Sequence, residues 1–305
     1  MYDPSMPDAY LAYADAPARN TGATTRSSER YLLDGPPPTP DFFYTATKEL
    51  DDSQRWSTWS SVEKSAHGPR PRPDWVVTDD GAIDTDLGIL KTGKEADVFL
   101  VERGVPGQPA SVLAAKRYRS TDHRNFHRDA GYVEGRRVKR SRDQRAVQKG
   151  TAFGRQVAAG QWAFHEWGAL CTLWADGVPV PYPVQLDGTE ILMEFIDVDG
   201  AAAPRLAQVR PDRATLESYF DQIREAMAVL ARRHVAHGDL SPYNILAQGD
   251  RLVIIDLPQV VDIVGNPNGV EFLQRDCRNV CQWFVSRGLD ADADELLAEL
   301  LAQAW

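Results

Sequence analysis

Two aspartates and an asparagine in the second half of the chain stand in an order that suggests chemistry. Asn244 follows Asp239 by five residues, and Asp256 ends an apolar run twelve residues after Asn244. Phosphoryl transfer from a nucleotide needs one carboxylate to accept the proton of the attacking hydroxyl. It also needs a second carboxylate and an amide oxygen to hold Mg²⁺ against the phosphates. We predict Asp239 as the catalytic base, Asn244 as a metal ligand, and Asp256 as a catalytic metal ligand.

Each of these residues also has a purely structural explanation. An Asp before a helix often caps that helix, and an Asp after a strand often begins a turn. The spacing from Asp239 to Asn244 matches that of a kinase catalytic loop, and an apolar strand separates both residues from Asp256. The three together favour the catalytic interpretation.

A lysine in the first half could bind the phosphates. Lys116 ends the apolar run 112–116, as expected of a lysine that contacts α- and β-phosphates. A desolvated lysine needs a carboxylate partner, for which Glu166 is the best candidate. Gly93 would let backbone N–H groups approach the phosphates, and Lys94 adds charge nearby. The alternative for Lys116 is a solvated position on an edge strand.

The elements that must hold these residues change in type along the chain. Apolar runs between turns predict strands, and helical spacing predicts helices later on. The predicted strands are 87–90, 96–101, 112–118, 184–186, 190–196 and 252–255, and the predicted helices begin at Asp212 and span 270–285 and 291–304. Strands first and helices second indicate an α+β protein with two lobes. We place a β-rich N-lobe at about 82–196 and a helical C-lobe at about 197–305, with Glu194 to Ile196 as the hinge whose backbone meets adenine.

The first 81 residues differ in composition from this domain. Residues 1–80 hold 10 of the 20 prolines, with 13 acidic and 8 basic residues. Such a composition cannot bury enough apolar area to offset chain entropy. We predict a mostly disordered, acidic, Pro- and Ser-rich extension over 1–81. Within it, the aromatic residues of 41–66 could pack on the folded domain or dock a partner.

Composition excludes several classes of protein. The 305 residues carry a net charge of −10, which argues against a general nucleic-acid coat protein. No apolar run approaches the ~20 residues that span a bilayer, so we predict no membrane contact. The three cysteines and the absence of a signal-like start are consistent with the cytoplasm.

One stretch opposes the overall acidity. From Arg117 to Lys149 there are 11 basic and 4 acidic residues, with aromatic residues interleaved. This pattern could contact RNA or a ribosome, or it could be a solvated loop over the nucleotide cleft.

Four segments resemble the RIO family of atypical protein kinases. They are residues 92–99 (TGKEADVF), 237–244 (HGDLSPYN), 255–259 (IDLPQ) and 271–280 (EFLQRDCRNV). The last segment is similar to the closing helix of the RIO1-like branch. No winged-helix pattern precedes the N-lobe, so the RIO2-like branch fits worse.

The resemblance implies a trimmed, two-lobed, protein-kinase-like fold and a set of site residues. It implies ATP, Mg²⁺ (with Mn²⁺ as an alternative), and phosphorylation of Ser or Thr in a protein substrate, including the chain itself, or an ATPase switch. Asp239 would be the base, and Asn244 and Asp256 would hold the metal. The implied ATP-binding residues are Thr92, Gly93, Lys94, Glu95, Val98, Lys116 and Glu166.

The sequence also departs from the family, and it is compatible with two other functions. Lys91 stands where the family usually has Ser, and about fourteen residues between Asp256 and the helix near Val270 leave no room for a full activation segment. Residues 237–246 also resemble the catalytic loop of aminoglycoside-type small-molecule phosphotransferases. A nucleotide-dependent RNA or ribosome-associated factor with little kinase output is the third hypothesis.

Overall fold

The protein's computed structural model describes residues 50–119, 152–257 and 260–305. The predictions for residues 1–49, for 120–149 of the basic stretch and for Pro258 and Gln259 lie outside the described residues. The strands are β1 Gln54–Trp56, β2 Ile83–Thr92, β3 Ala96–Gly104, β4 Ser111–Tyr118, β5 Pro183–Asp187, β6 Glu190–Glu194, β7 Asp197–Val198, β8 Ala201–Ala202, β9 Val235–Ala236, β10 Ile245–Gln248, β11 Arg251–Ile254 and β12 Val261–Asp262. The helices are α1 Ala152–Ala175, α2 Arg213–Arg232, α3 Gly269–Val285 and α4 Ala293–Ala304.

A six-stranded antiparallel sheet with the order β1-β2-β3-β4-β6-β5 forms the first lobe. Residues that face each other in an antiparallel register share one side of the sheet. Val98 faces Lys91 on one side and Lys116 on the other, so these three side chains share what we call the front face. Arg117, the next residue along β4, belongs to the opposite or back face.

The front face and the helices share one large core. Tyr118 and Ile191 of the sheet are buried in the same apolar cluster as Ala163 and Trp167 of α1. That cluster continues into α2, α3 and α4, so the sheet and the helical lobe are joined through α1. The predicted two-lobed α+β fold is confirmed, although α1, which lies between β4 and β5, was not among the predicted helices.

The helices of the second lobe follow the predicted amphipathic pattern. Asp212 caps α2, because its Oδ1 accepts a hydrogen bond from the Thr215 N–H at 2.8 Å. The buried side of α2 carries Leu216, Tyr219, Ile223, Met227 and Leu230.

Among the described residues, no helix is long and apolar enough to cross a membrane.

Residues 50–81 fold against the back face of the sheet. Strand β1 pairs with β2, and Trp59 is buried in an apolar cluster with Leu113 and Tyr182. The Trp59 ring also stacks on His67, with 4.0 Å between ring centroids. The described part of the extension therefore belongs to the folded unit, which begins before residue 82.

Candidate active site

Three charged side chains from distant parts of the chain meet between the lobes. Lys116 projects from the front face of β4, Glu166 lies on α1, and Asp256 follows β11. The Lys116 Nζ lies 2.7 Å from Glu166 Oε1 and 2.8 Å from Asp256 Oδ1. The lysine thus contacts both its predicted carboxylate partner and a predicted metal ligand.

Lys116 and Asp256 hold each other in their charged forms. Burial alone would lower the pKa of Lys116, but Glu166 and Asp256 outweigh burial and raise it. Burial alone would raise the pKa of Asp256, but the charge of Lys116 and its hydrogen bond lower it. Asp256 is therefore ionised at neutral pH, and 47% of its side chain is exposed to the cleft.

The Glu166 carboxylate has two further partners, which sequence reasoning did not identify. Its Oε1 accepts a hydrogen bond from the Leu257 N–H at 3.2 Å, and its Oε2 accepts one from the Tyr118 hydroxyl. Burial raises the pKa of Tyr118, so the hydroxyl keeps its proton. The available signal was the strand period of two, which puts Tyr118 on the same face as Lys116.

The loop that holds Asp239 is tied to Asn244 and to the strand before Asp256. Asn244 Nδ2 donates to the Asp239 carbonyl at 2.9 Å. His237 Nδ1 accepts from the Asp239 N–H at 3.3 Å, so its Nε2 donates to the Ile255 carbonyl at 3.1 Å. Burial lowers the pKa of His237, which keeps the ring neutral. Asp239 itself is exposed and faces solvent.

The side chain of Asp276, on α3, accepts hydrogen bonds from the backbone of the same loop. Its two carboxylate oxygens accept the N–H groups of Gly238 and Leu240, each at 2.8 Å. These two residues flank Asp239, so one buried side chain fixes the backbone on both sides of the predicted base. Burial raises the pKa of Asp276 to about 7. Sequence reasoning noted this residue only as part of a matching segment.

The predicted phosphate loop is the turn between β2 and β3. The Gly93 N–H donates to the Ala96 carbonyl at 3.0 Å. A Cβ at Gly93 would lie 2.8 Å from that oxygen, so the tight turn requires glycine. Thr92, Lys94 and Glu95 lie exposed in this turn.

The predicted hinge is the segment that leaves β6. The Glu194 N–H donates to the Tyr182 carbonyl at 2.8 Å, and the Ile196 carbonyl accepts from the Ala203 N–H at 2.9 Å. Ile196 packs with Ala203 and Val253, and Leu246 and Ile255 border this cluster. The segment that leaves β6 is therefore anchored by a small buried apolar cluster next to Asp256, since Ile255 borders it.

The side chains around Asp256 fit a divalent cation. Asn244 commits its amide nitrogen to Asp239, which leaves its amide oxygen as the group that can bind a metal. Carboxylate and amide oxygens are the ligands that Mg²⁺ prefers. Within residues 50–119, 152–257 and 260–305, no three His, Cys, Asp or Glu side chains form a metal centre by themselves. A cation held here would need oxygen ligands from a bound phosphate as well.

The described end of the basic stretch is engaged in ion pairs on the sheet. Arg117 lies 2.6 Å from both Glu190 and Asp86, and Arg119 Nε lies 2.6 Å from Asp97. These two arginines are therefore neutralised within the described part of the chain, and they lie away from the front face.

Comparison with known proteins gives one family. The RIO domain matches residues 106–296 of this chain. The RIO-type serine/threonine-protein kinase Rio1 of Haloferax volcanii is 38% identical over 222 residues, which cover 73% of this chain and 71% of that protein. The serine/threonine-protein kinase RIO3 of Mus musculus is 27% identical over 243 residues, which cover 77% of this chain and only 45% of that protein.

A solved structure supports the fold. The crystal structure of the Rio2 kinase from Chaetomium thermophilum matches with a TM-score of 0.51 and 21% identity, over 72% of this chain and 63% of that one. At this identity the likeness concerns the fold, and it agrees with the predicted two-lobed, kinase-like architecture.

Proposed function

The chain belongs to the RIO family of protein kinases, and from this premise we propose that it transfers the γ-phosphoryl group of ATP to a serine or threonine hydroxyl of a protein, its own chain included. The observation that carries the proposal is the meeting of Lys116, Glu166 and Asp256 beside the loop of Asp239 and Asn244.

Each group has a separate task in the transfer. Lys116, held by Glu166, binds the non-transferred phosphates. Asp239 is exposed at the cleft, so it can accept the proton of the incoming hydroxyl as that oxygen bonds to the γ-phosphorus. The bond between the γ-phosphorus and the bridging oxygen breaks, and ADP leaves. The hinge segment Glu194 to Ile196 takes the adenine, through backbone groups other than the Glu194 N–H and the Ile196 carbonyl, which already have partners.

Asn244 and Asp256 would hold the divalent cation, Mg²⁺ or Mn²⁺. Bound there, the cation supplies positive charge that neutralises the phosphate oxygens. The ion pair with Lys116 keeps Asp256 ionised and ready for this role.

The substrate would be recognised without the usual kinase docking platform. Only twelve residues separate Asp256 from the first residue of α3, Gly269. A full activation segment does not fit in this connection, so we infer that contacts outside it select the protein substrate.

The experiment that tests the proposal follows label from γ-labelled ATP with Mg²⁺. We expect labelled protein from the wild type and background levels from Asp256→Asn, because the neutral amide pairs weakly with both Lys116 and a cation. Asn is preferred to Ala here because Asp256 has a φ of 69°, which Asn tolerates. Asp239→Asn should lower the rate by about 100-fold or more.

Asp250→Ala is the matched control, because Asp250 is an exposed aspartate of the same lobe. It should keep the wild-type rate. Label in an aminoglycoside with none in protein would overturn the proposal in favour of a small-molecule phosphotransferase. Label released only as inorganic phosphate would instead indicate ATP hydrolysis as the output.

We also propose, as a separate point, that residues 117–149 contact a polyanion such as RNA. The support is composition, with 11 basic against 4 acidic residues. Binding should weaken steeply with salt and be lost when Arg136, Arg137, Lys139 and Arg140 become Ala.

The cytoplasmic location inferred from the three cysteines is likewise a proposal.

A further inference from the structure

A β-bulge in β2 places Lys91 on the front face of the sheet, which borders the cleft. Ile89 faces Phe99, whereas Lys91 faces Val98, so two residues of β2 span one step of β3 and Leu90 is the extra residue. In a regular strand Lys91 would share the face of Ile89, which is the back face. The bulge moves Lys91 to the front face, in line with Val98 and Lys116.

Arg205 belongs to the second lobe and contacts the catalytic loop. Its backbone N–H donates to Gln208 Oε1 at 2.9 Å, and its guanidinium Nη1 donates to the Tyr243 carbonyl. Tyr243 directly precedes Asn244, a predicted metal ligand. The arginine therefore lies at the edge of the catalytic loop.

The electrostatics of Lys91 show which charges it faces. Partial burial lowers the pKa of Lys91, the positive charges of Arg205 and Lys116 lower it further, and Asp256 opposes them. Among the described residues Lys91 has no direct ion pair. Lys91 is therefore influenced by two other cations, and the carboxylate that opposes them, Asp256, is already bound by Lys116.

We propose that Lys91 and Arg205 bind the polyphosphate chain of the nucleotide from opposite sides of the cleft, in addition to Lys116. The inference rests on the proposed function and extends it to two residues that the catalytic assignment does not use. A polyanion between them would relieve the repulsion of like charges and give each a partner.

The test is calorimetric titration of the full chain with ATP, ADP and adenosine, at fixed ionic strength and with Mg²⁺. We expect Lys91→Ser and Arg205→Gln each to weaken ATP binding by about 10-fold, the scale of one charge-assisted hydrogen bond. ADP should lose less, and adenosine should bind as it does to the wild type. Lys91→Arg should restore the ATP affinity, since it restores the charge.

Two matched control variants each remove one positive charge, of a lysine or an arginine, at a position outside the cleft. Lys64→Ser changes an exposed lysine of the segment that covers the back face. Arg213→Gln changes an exposed arginine that also donates to a backbone carbonyl, that of Gly288 at 2.6 Å. Both variants should bind ATP as the wild type does.

Other outcomes would overturn the proposal in distinguishable ways. Unchanged ATP affinity in both variants, with loss of binding in Lys116→Met, would show that Lys91 and Arg205 do not form a clamp on the polyphosphate. The proposed function would then still stand. An equal loss for ATP and adenosine shows that the variants act on the fold or the adenine site. A wild type that binds none of the three ligands refutes the proposed function and the clamp together.

Discussion

Asp276 illustrates how a residue that touches no substrate can govern a catalytic loop. It is 1% exposed, and its two oxygens accept the N–H groups on either side of Asp239. Burial disfavours its negative charge, whereas the two hydrogen bonds favour it, and burial prevails with a pKa of about 7. The loop is therefore held by a carboxyl group that titrates near neutral pH.

This titration predicts a pH-dependent stability that Asp276→Asn removes. The pKa of Asp276 is raised from 3.8 in the unfolded chain to about 7. Its stabilising contribution is therefore complete below pH 4 and declines as the pH rises through 7. The free energy of unfolding of the wild type minus that of the variant should fall by at least about 2 kcal/mol between pH 4 and pH 8.

Denaturant unfolding at a series of pH values measures this difference. Asp212→Asn is the control, because its pH dependence should have the opposite sign. The N–H of Thr215 lowers the pKa of Asp212, so its contribution is present at neutral pH and is lost as the pH falls through the folded pKa. A pH-independent difference for Asp276→Asn would contradict the assignment.

The sequence identifies residues that belong to a motif or meet a stated chemical need, and it misses residues that only support them. Asp239, Asn244 and Asp256 could be predicted because their order and spacing along the chain match those of a kinase catalytic loop. Glu166 was found from the need of Lys116 for a partner. Tyr118 and Asp276 were not assigned roles, because each supports the site through a hydrogen bond, to Glu166 and to Gly238, that no motif indicates.

Residues 50–81 act as a cover for the back face of the sheet. Trp59 packs with Leu113 and Tyr182, and the Arg72 guanidinium lies 5.0 Å from the Trp59 ring centre. Beside this cluster, Arg103 is fully buried and its Nε lies 2.6 Å from Asp84 Oδ1. The cover therefore keeps both apolar and charged groups of the sheet away from water.

Trp59→Ala should accordingly destabilise the domain by about 3–5 kcal/mol, the usual effect of removing a buried aromatic side chain. Trp56→Ala is the matched control, because Trp56 lies in β1 but is 40% exposed. Its effect should be below about 1 kcal/mol. Thermal and denaturant unfolding measure both, and equal effects would show that the segment does not cover the sheet.

Composition favoured disorder here and left packing of the aromatic residues on the domain as one alternative, whereas five of the six strands of the main sheet and helices α2, α3 and α4 could be predicted. The segment has few apolar residues and no helical or alternating pattern, so its pairing depends on β2 and on the distant β5. The bulge at Leu90 was hidden for a similar reason, since the register is set by the facing strand. Local patterns establish which elements exist, and long-range pairing decides which face a side chain takes.

The Glu166 carboxylate of helix α1 adds a polar link between the lobes to the apolar core that they share. Glu166 binds Lys116 and Tyr118 of the sheet and the Leu257 N–H that follows Asp256. A nucleotide held by Lys116 and by a cation at Asp256 would touch both ends of this connection. The affinity for nucleotide should therefore depend on the charge of Glu166, even though Glu166 need not touch the ligand.

Glu166→Gln tests this dependence, because the amide keeps an acceptor for Leu257 but loses the charge that holds Lys116. We expect ATP with Mg²⁺ to bind about 10-fold more weakly, which lowers the ligand-induced gain in unfolding free energy by about 1.4 kcal/mol at saturating nucleotide. Glu190→Gln is the control, since Glu190 is 8% exposed and pairs with Arg117 on the back face. It should lower the stability of the free protein and leave the ligand-induced gain unchanged. The comparison of unfolding with and without nucleotide separates the two effects, and an equal gain in wild type and Glu166→Gln would show that α1 does not couple the lobes to the ligand.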